Sequence, residues 1–188
     1  MLTIEHLTKQ FGEKTLFRDL CLTVDGPAVL WAPSGWGKTT LLRILMGLDT
    51  PTAGRVRGVG RAAAVFQEDR LCPQLTALQN VTLVLPGSEK QYKEQIKADL
   101  LQFKERQLGM DTAALALPAA RLSGGQKRRT ALLRALWAPS DTLLLDEPFT
   151  GMDPDTLAAA AALLRTRCGT EPVLLATHDR EAIRLLGW

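Results

Sequence analysis

The amino-acid sequence predicts an α/β fold in which buried strands end in polar residues. Three observations support this prediction. An apolar run at residues 29–31 leads into a turn of small residues and then into a helix that opens with Lys38. Two further apolar runs, at residues 142–145 and 173–177, each end in a pair of polar residues. Polar residues at the carboxyl ends of buried parallel strands are typical of α/β binding sites.

Length and composition favour a single globular domain. The chain has 188 residues, of which 46% are apolar, so it can bury a sizeable core. We expect one domain over residues 1–188, with the α/β core at residues 1–75 and 121–188 and a helical subdomain at residues 76–120. The formal net charge of +3 is small and spread out, so composition argues neither for nor against nucleic acid.

No segment predicts secretion or membrane insertion. The first twenty residues carry charged side chains and lack the apolar centre of a signal peptide. The longest apolar run, residues 157–164, is too short to span a bilayer. We therefore expect a cytosolic protein. Its three cysteines are far apart and lack the paired spacing of a zinc site or a disulfide frame, so we expect buried thiols at Cys21, Cys72 and Cys168.

Two stretches near the N-terminus alternate apolar and polar residues, as half-buried strands do. They cover residues 2–5 and 20–25 and predict an antiparallel β-layer before the small-residue turn. Phe11 lies between them, next to Gly12. It is either a core residue or an exposed aromatic platform, and its position alone favours the core.

The small-residue turn has the composition of a phosphate-binding loop. Its glycines allow several N–H donors to converge, while Lys38 can reach outer phosphates and the Thr39 hydroxyl suits Mg²⁺. The helix that follows adds the positive end of its dipole. The residues expected to hold phosphate are Ser34, Gly35, Trp36, Gly37, Lys38, Thr39 and Thr40. The strict pattern requires glycine where this chain has Ala32, and the alternative is a chance Gly-Lys-Thr in a surface turn.

The middle of the chain changes in composition. Residues 62–66 predict a buried strand that delivers Gln67 to a sheet edge. Beyond it, apolar residues recur at helical spacing among charged ones, which predicts a helical insert with a solvated face: Tyr92, Ile96, Leu100 and Phe103.

A second glycine-rich turn, Ser123-Gly124-Gly125-Gln126, precedes a helix predicted at residues 130–137. Two glycines after a serine, ahead of a helix, can form another anion-binding nest of backbone N–H groups. A serine N-cap followed by a flexible turn is the alternative interpretation.

The last two buried strands end in groups suited to hydrolysis. Asp146 and Glu147 are adjacent and so point in different directions, which allows one to serve Mg²⁺ and the other to deprotonate a water. His178 can donate to a phosphate oxygen, although a lone histidine is more often structural. Asp153 is expected to cap a helix that begins at Pro154 and runs to about residue 167.

In order along the chain, the APSGWGKTT loop, Gln67, LSGGQ, LLLDEP, Asp153 and His178 resemble the ATP-binding subunits of ABC transporters. LSGGQ is the discriminating element, because P-loop kinases and GTPases lack it. The resemblance covers nearly the whole chain. It implies a P-loop NTPase core of the RecA-like type, with an antiparallel β-layer, an inserted helical subdomain and a short C-terminal part.

The resemblance also implies a role for each matching residue. Phe11 would stack on adenine, which reverses the core assignment made from position alone. Lys38 would bind the outer phosphates, and the Mg²⁺ ligands would be Thr39, Gln67 and, through water, Asp146. Glu147 would be the general base and His178 would hold the γ-phosphate. Ser123, Gly124, Gly125 and Gln126 would act in trans on ATP held by a second copy, with Asp153 beside the nucleotide.

The implied assembly is an ATP-sandwich dimer beneath two transmembrane permease subunits, on the inner face of the cell membrane. Residues 65–73 resemble the same segment in importers of nitrate, sulfonates and taurine, which also implies a solute-binding protein. Ala32, Trp36 and the end of the chain ten residues after His178 depart from the family pattern. Trp36 is expected to meet the nucleotide or the dimer partner. The alternatives are a soluble ABC ATPase without a transport role and a weakly active nucleotide-binding subunit; we expect no nucleic-acid partner.

Overall fold

The computed structural model describes residues 1–85 and 116–188. The strands are β1 Leu2–Phe11, β2 Lys14–Val24, β3 Pro27–Trp31, β4 Ala53–Arg57, β5 Ala62–Val65, β6 Thr142–Asp146 and β7 Val173–Thr177. The α-helices in these ranges are α1 Lys38–Leu45, α2 Ala77–Thr82, α3 Gly124–Trp137, α4 Pro154–Arg167 and α5 Arg180–Leu186, and a 3₁₀ turn covers Ala119–Arg121.

The predicted antiparallel β-layer is present as a three-stranded sheet in the order β2-β1-β4. Its third strand, β4, comes from beyond the small-residue turn, so the layer is not built only from the preceding residues. Leu2, Ile4 and Leu7 of β1 are fully buried and share a core with Leu41 and Leu42 of α1. This packing holds the sheet on one side of the helix that follows the turn.

The second sheet is parallel, with strand order β3-β7-β6-β5. Strands β6 and β7 are buried along their whole length, as their apolar runs predict. Strand β5 lies at the edge and its first residue, Ala62, is exposed, so this strand is less buried than its sequence suggests. The carboxyl ends of β3, β6 and β7 meet at one edge of the sheet, and the α/β fold is confirmed.

Helix α3 begins six residues earlier than the sequence predicts, at Gly124 instead of residue 130. The two glycines therefore form the first turn of the helix and do not precede it. Glycine has a low helix propensity, which hides the start of this helix from pattern analysis. Ser123 is the N-cap and forms a reciprocal capping box with Gln126, which stabilises a start that the glycines alone would weaken.

Only the margins of the predicted helical subdomain lie within the described residues. Helix α2 packs against α3 through a small apolar cluster that includes Ala77, Val81 and Leu133. The residues whose spacing predicted the rest of the insert, Tyr92, Ile96, Leu100 and Phe103, lie outside the described ranges. Within those ranges, no helix is both long enough and apolar enough to cross a membrane.

The prediction of buried cysteines was wrong. Cys21 is exposed, and Cys72 and Cys168 are half-buried. Burial raises the pKa of the Cys168 thiol to about 12. Cys21 lies on β2, in a part of the sheet where strand pairing is irregular, and alternation alone does not show which face such a residue takes.

Candidate functional site

The loop between β3 and α1 owes its shape to two glycines with left-handed backbone conformation. Gly35 has φ 79° and Gly37 has φ 108°, which side-chain-bearing residues rarely adopt. A Cβ at Gly37 would lie 3.3 Å from the Leu16 side chain, whereas the space around Gly35 is open. Ala32 has no positive φ, so the loop does not need glycine there.

Lys38 spans this loop from the first turn of α1. Its ammonium group donates to the carbonyl of Ala32 at 2.7 Å and to that of Pro33 at 3.4 Å. The residue is 9% exposed, so its charge is held close to the loop backbone. A phosphate oxygen entering the loop would meet this charge together with the N–H groups of the helix start.

Glu147 is held by the two residues that end and follow β7. Its Oε1 lies 2.7 Å from His178 Nδ1, and the Thr177 hydroxyl donates to its Oε2 at 2.9 Å. Its backbone has φ 48°, a conformation that costs about 1 kcal/mol or more for a residue other than glycine. The backbone N–H of Glu147 donates to the carbonyl of Ala176 at 2.9 Å, which fixes the backbone directly after β6. The carboxylate therefore has one orientation, with the exposed His178 ring beside it.

Asp146 ends β6 and is 3% exposed. Burial raises the pKa of its carboxyl, while a hydrogen bond with Thr39 and the charges of Lys38 and Arg128 act in the opposite direction. A buried carboxylate hydrogen-bonded to a threonine hydroxyl offers hard oxygen donors, which are the ligands that Mg²⁺ takes. The residues present therefore fit a magnesium site.

These groups line one cleft of about 520 Å³. It brings together most of the residues predicted to bind phosphate, hold metal or catalyse: Ser34, Gly35, Gly37, Lys38, Thr39, Thr40, Gln67, Asp146, Glu147 and His178. The predicted residues that do not line it are Phe11, Trp36, Asp153, Ser123, Gly124, Gly125 and Gln126.

Phe11 and Trp36 take different positions around the cleft. Phe11 is 52% exposed at the end of β1, so the core assignment made from its position was wrong. The Lys9 ammonium lies 4.5 Å from its centroid. Trp36 stacks on Phe17 of β2, with centroids 5.6 Å apart and planes at 27°. Its indole thus packs within its own chain, a placement that the sequence analysis did not consider.

The second predicted nest lies at the start of α3, outside the cleft. Ser123 and Gly124 are exposed there, and apart from the neighbouring backbone of α3 no atom lies within 4 Å of where a Gly124 side chain would begin. Asp153 caps α4, and its carboxylate accepts from the backbone N–H and the hydroxyl of Thr156. The Thr156 hydroxyl, foremost, lowers the pKa of Asp153.

Sequence reasoning missed Arg128 and Thr177. The Arg128 guanidinium is buried and donates to the carbonyl of Phe66 at 2.6 Å and to the carbonyl of Gln67. Its Nε lies 3.3 Å from an Asp69 carboxylate oxygen. Arg128 therefore anchors the backbone at Gln67 to helix α3. The run of basic residues after LSGGQ gives no indication of which one points inward. The role of Thr177 was easier to predict, because this residue ends an apolar strand directly before His178.

Comparisons with known proteins agree with this geometry. The family described as ABC transporter matches residues 20–150 of the chain. The aliphatic sulfonates import ATP-binding protein SsuB 1 of Nocardia farcinica (strain IFM 10152) is 42% identical over 188 residues, which cover 97% of this chain and 74% of that protein. The Fe(3+) ions import ATP-binding protein FbpC of Brucella suis biovar 1 (strain 1330) is 38% identical over 182 residues, covering 90% of this chain and 48% of that protein.

Solved structures show the same fold. The dimeric structure of MJ0796, a bacterial ABC transporter cassette, matches with a TM-score of 0.82 and 26% sequence identity, covering 98% of this chain and 91% of that one. A post-hydrolysis state of MJ0796 bound to ADP and phosphate matches equally well, with a TM-score of 0.82. The chain therefore belongs to the ABC transporter family, as an ATP-binding subunit with the ATPase activity of that family.

Proposed function

We propose that this ATPase hydrolyses Mg-ATP in the cleft between the phosphate loop and the carboxyl ends of β6 and β7, and that the reaction drives solute import. The observation that carries the proposal is the placement of Glu147, which shares the cleft with Lys38 and Thr39 and is oriented by Thr177 and His178. Phosphoryl transfer to water depends on positioning and charge neutralisation, and this arrangement supplies both.

Each residue has a task in this proposal. Lys38 leaves its loop carbonyls for the outer phosphates, and Thr39 with Asp146 would hold Mg²⁺, which supplies neutralisation of phosphate charge. Gln67 lines the cleft where a water and the metal would lie. Glu147 takes the proton of the attacking water. His178 is mostly exposed at the mouth of the cleft and bonds the γ-phosphate when its ring turns from Glu147.

The cleft alone cannot surround a γ-phosphate, because the glycine-rich turn at Ser123 lies outside it. A head-to-tail dimer would place Ser123, Gly124, Gly125 and Gln126 of one chain over the ATP of the other, with Phe11 on the adenine and Asp153 near the seam. Exposure of Ser123, Gly124 and Phe11 supports this arrangement. It agrees with the dimeric state of MJ0796.

We infer that the transported solute is a small organic anion of the sulfonate class. Several relatives at about 40% identity are named as aliphatic sulfonates import proteins. The resemblance of residues 65–73 to the same segment of such importers also supports this inference. On this proposal the subunit binds transmembrane permease subunits on the cytoplasmic face of the membrane, and a solute-binding protein delivers the solute outside. Residues 1–75 and 121–188 would form the core and residues 76–120 the helical subdomain that contacts the permease.

Substitution of Glu147 by glutamine tests the catalytic assignment. The amide keeps the size of the side chain but cannot accept the proton, so E147Q should bind Mg-ATP, form a stable dimer and release phosphate at least ~100-fold more slowly. Size-exclusion chromatography with Mg-ATP and a phosphate-release assay measure these outcomes. Glu181→Gln, which removes an exposed carboxylate on α5, is the matched control and should hydrolyse normally. Normal turnover in E147Q would move the general base to another residue.

The import proposal needs a separate test. Membranes of the source cell should yield this chain together with permease subunits, and vesicles rebuilt from that complex should take up an alkanesulfonate only with internal ATP. Uptake of ferric ion but not sulfonate would contradict the solute class while leaving the ATPase assignment intact.

A further inference from the structure

Three side chains with metal-ligating atoms converge on the antiparallel sheet, and none of them lines the phosphate cleft. They are His6 on β1 with Asp19 and Cys21 on β2, all exposed. One donor atom from each lies within 4.8 Å of the other two. His6 Nδ1 is 2.7 Å from Asp19 Oδ1 and 3.8 Å from Cys21 Sγ.

Two bulges in the sheet produce this convergence. Ile4 pairs with Leu22 and Leu7 with Leu20, so two residues of β1, including His6, oppose the single residue Cys21. The next pair is Lys9 with Phe17, so here two residues of β2, including Asp19, oppose one residue of β1. Bulges redirect side chains out of the regular alternation. The pair of bulges on opposite strands turns His6 and Asp19 toward each other across Cys21.

The backbone at both bulges is strained and fixed. His6 has φ 52° and Asp19 has φ 53°, in the left-handed region that residues other than glycine seldom occupy. The His6 N–H donates to Cys21 Sγ at 3.3 Å, and the Asp19 N–H donates to the Thr8 hydroxyl at 3.1 Å. On the other side of β1, Gly54 of β4 packs so closely that a Cβ there would lie 2.3 Å from the His6 carbonyl oxygen. The three side chains therefore extend from a preset backbone.

The arrangement does not suit nucleophilic catalysis. In a cysteine–histidine–carboxylate relay, the carboxylate bonds one ring nitrogen and the thiol bonds the other, so that a proton can pass across the ring. Here both Asp19 Oδ1 and Cys21 Sγ face the same nitrogen, His6 Nδ1. Three lone-pair donors that face one point are the geometry of a chelate.

We propose that His6 Nδ1, an Asp19 carboxylate oxygen and Cys21 Sγ form a binding site for a divalent transition-metal ion of the zinc class. Zinc takes imidazole, thiolate and carboxylate in a tetrahedron, with the fourth position for water. Ligand atoms around such an ion lie roughly 3.4–3.6 Å apart, as follows from bond lengths of about 2.0–2.3 Å. Side chains this exposed reach those separations by rotation alone. Metal binding at Nδ1 requires the neutral imidazole tautomer that carries its proton on Nε2, and the Cys21 thiol releases its proton to solvent as it becomes the thiolate ligand.

The bound ion would join β1 to β2 where their hydrogen-bond ladder is interrupted. The same strands carry Leu16, which lines the cleft, and Phe11, which is proposed to meet the adenine. Metal binding should therefore stabilise the sheet without entering the catalytic cleft, because a ligand that binds only the folded state raises its stability by mass action.

Titration of the full-length chain with Co²⁺ tests the site. Cobalt adopts zinc geometry and gives a thiolate-to-metal charge-transfer band together with visible bands of tetrahedral intensity. We expect one equivalent of Co²⁺ per chain, the charge-transfer band, its displacement by Zn²⁺, and a higher Tm with either metal. Cys21→Ser should abolish the band, and His6→Asn or Asp19→Asn should weaken binding by at least ~10-fold.

Matched controls are available because the chain has only two histidines and three cysteines. Cys72→Ser and His178→Asn should retain the band and the affinity. The raised pKa of Cys168 disfavours the thiolate form there, so that residue does not compete. A band that survives Cys21→Ser, binding lost in His178→Asn but not in His6→Asn, or half an equivalent per chain from an ion shared between two copies would each overturn the proposal.

Discussion

At the scale of single residues, two acidic residues of the cleft, Asp146 and Glu147, have environments that lower the stability of the folded chain. Asp146 is buried beside a second carboxylate, and burial disfavours its charge. Glu147 occupies a left-handed backbone conformation, with a carboxylate bonded on both oxygens. Both features cost stability in the folded chain and both orient groups toward the phosphate loop. This is the pattern expected where a protein gives up stability for function.

Asp146→Asn should therefore stabilise the nucleotide-free protein and inactivate it. Because burial raises the pKa of Asp146, the penalty is present at pH values above that pKa, where the carboxyl is ionised, and fades as the pH falls through it. Thermal unfolding at neutral pH should show a higher Tm for the variant, by roughly 2–4 °C for each ~1 kcal/mol gained in the free energy of unfolding. The gain should shrink on acidification, and Mg²⁺ should no longer enhance ATP binding. A lower Tm at neutral pH would contradict this account.

At the scale of elements, helix α3 links two functional segments. Its first turn is the glycine-rich Ser123 motif, and one turn later Arg128 bonds the backbone at Gln67. On the dimer proposal, we expect a displacement at the Ser123 motif to reach Gln67 along this helix, because the capping box fixes its start and Arg128 bonds the Gln67 backbone. Arg134, further along α3, donates to the carbonyls of Asp69 and Arg70. These bonds extend the contact between α3 and the segment that follows Gln67.

Gly124→Ala should separate stability from activity. Gly124 is exposed in the first turn of α3, with open space around it, so alanine fits and favours the helix by about 0.5–1 kcal/mol. The methyl group would nevertheless keep the helix start from approaching a phosphate held by another chain. We expect an equal or higher Tm with ATPase activity reduced at least ~10-fold. Gly26→Ala, in the turn between β2 and β3, is the comparison outside the motif, because the space around Gly26 is also open. Full activity in Gly124→Ala would exclude a close phosphate contact there.

Arg128→Lys should weaken the connection between α3 and Gln67. Lysine keeps the charge but loses the planar fork that donates to the Phe66 and Gln67 carbonyls at once. If Gln67 acts on the reacting groups, kcat should fall several-fold with little change in KM for ATP. Arg121→Lys, an exposed change next to the same motif, should leave both unchanged. A rise in KM alone would indicate a binding role.

The sequence predicts strands and motifs better than it predicts local irregularities. Strands β6 and β7 were predictable because a strand buried on both faces reads as an unbroken apolar run. The start of α3 was not predictable, because its first two residues are glycines, which have a low helix propensity. The packing of Trp36 was not predictable either, because no pattern in the sequence around it indicates that it stacks on Phe17. The bulges at His6 and Asp19 depend on pairing between strands and leave no trace in either strand alone. Ten predicted site residues share one cleft because adjacent strands end there.

At the scale of the whole molecule, the dimer proposal divides the nucleotide site between two separate parts of the chain surface. The phosphate cleft contains the loop, the carboxylates and His178, while the Ser123 turn lies elsewhere on the surface. On this proposal, a single chain would leave the nucleotide in its cleft uncovered by a Ser123 turn. On the dimer proposal, each of two equivalent sites takes one half from each chain, so that assembly and catalysis depend on the same ligand.

ATPase activity per chain should consequently fall on dilution. Turnover measured across a wide range of protein concentrations, at saturating Mg-ATP, should drop once the concentration passes below the dimer dissociation constant. Mixing Lys38→Ala with Gly124→Ala should restore part of the activity that each lacks alone, because one site in the mixed dimer has both halves intact. Constant specific activity on dilution would mean that one chain suffices.

The bonds from Lys38 to the Ala32 and Pro33 carbonyls have a kinetic consequence. They hold the phosphate loop in a closed turn by internal hydrogen bonds, so the loop is preorganised and little backbone entropy remains to be lost when a nucleotide arrives. Binding then amounts to an exchange of acceptors by one ammonium group, carbonyl for phosphate. ATP and ADP should accordingly bind with similar association rate constants, limited by encounter in the correct orientation. Any difference in affinity between them should come from their dissociation rate constants.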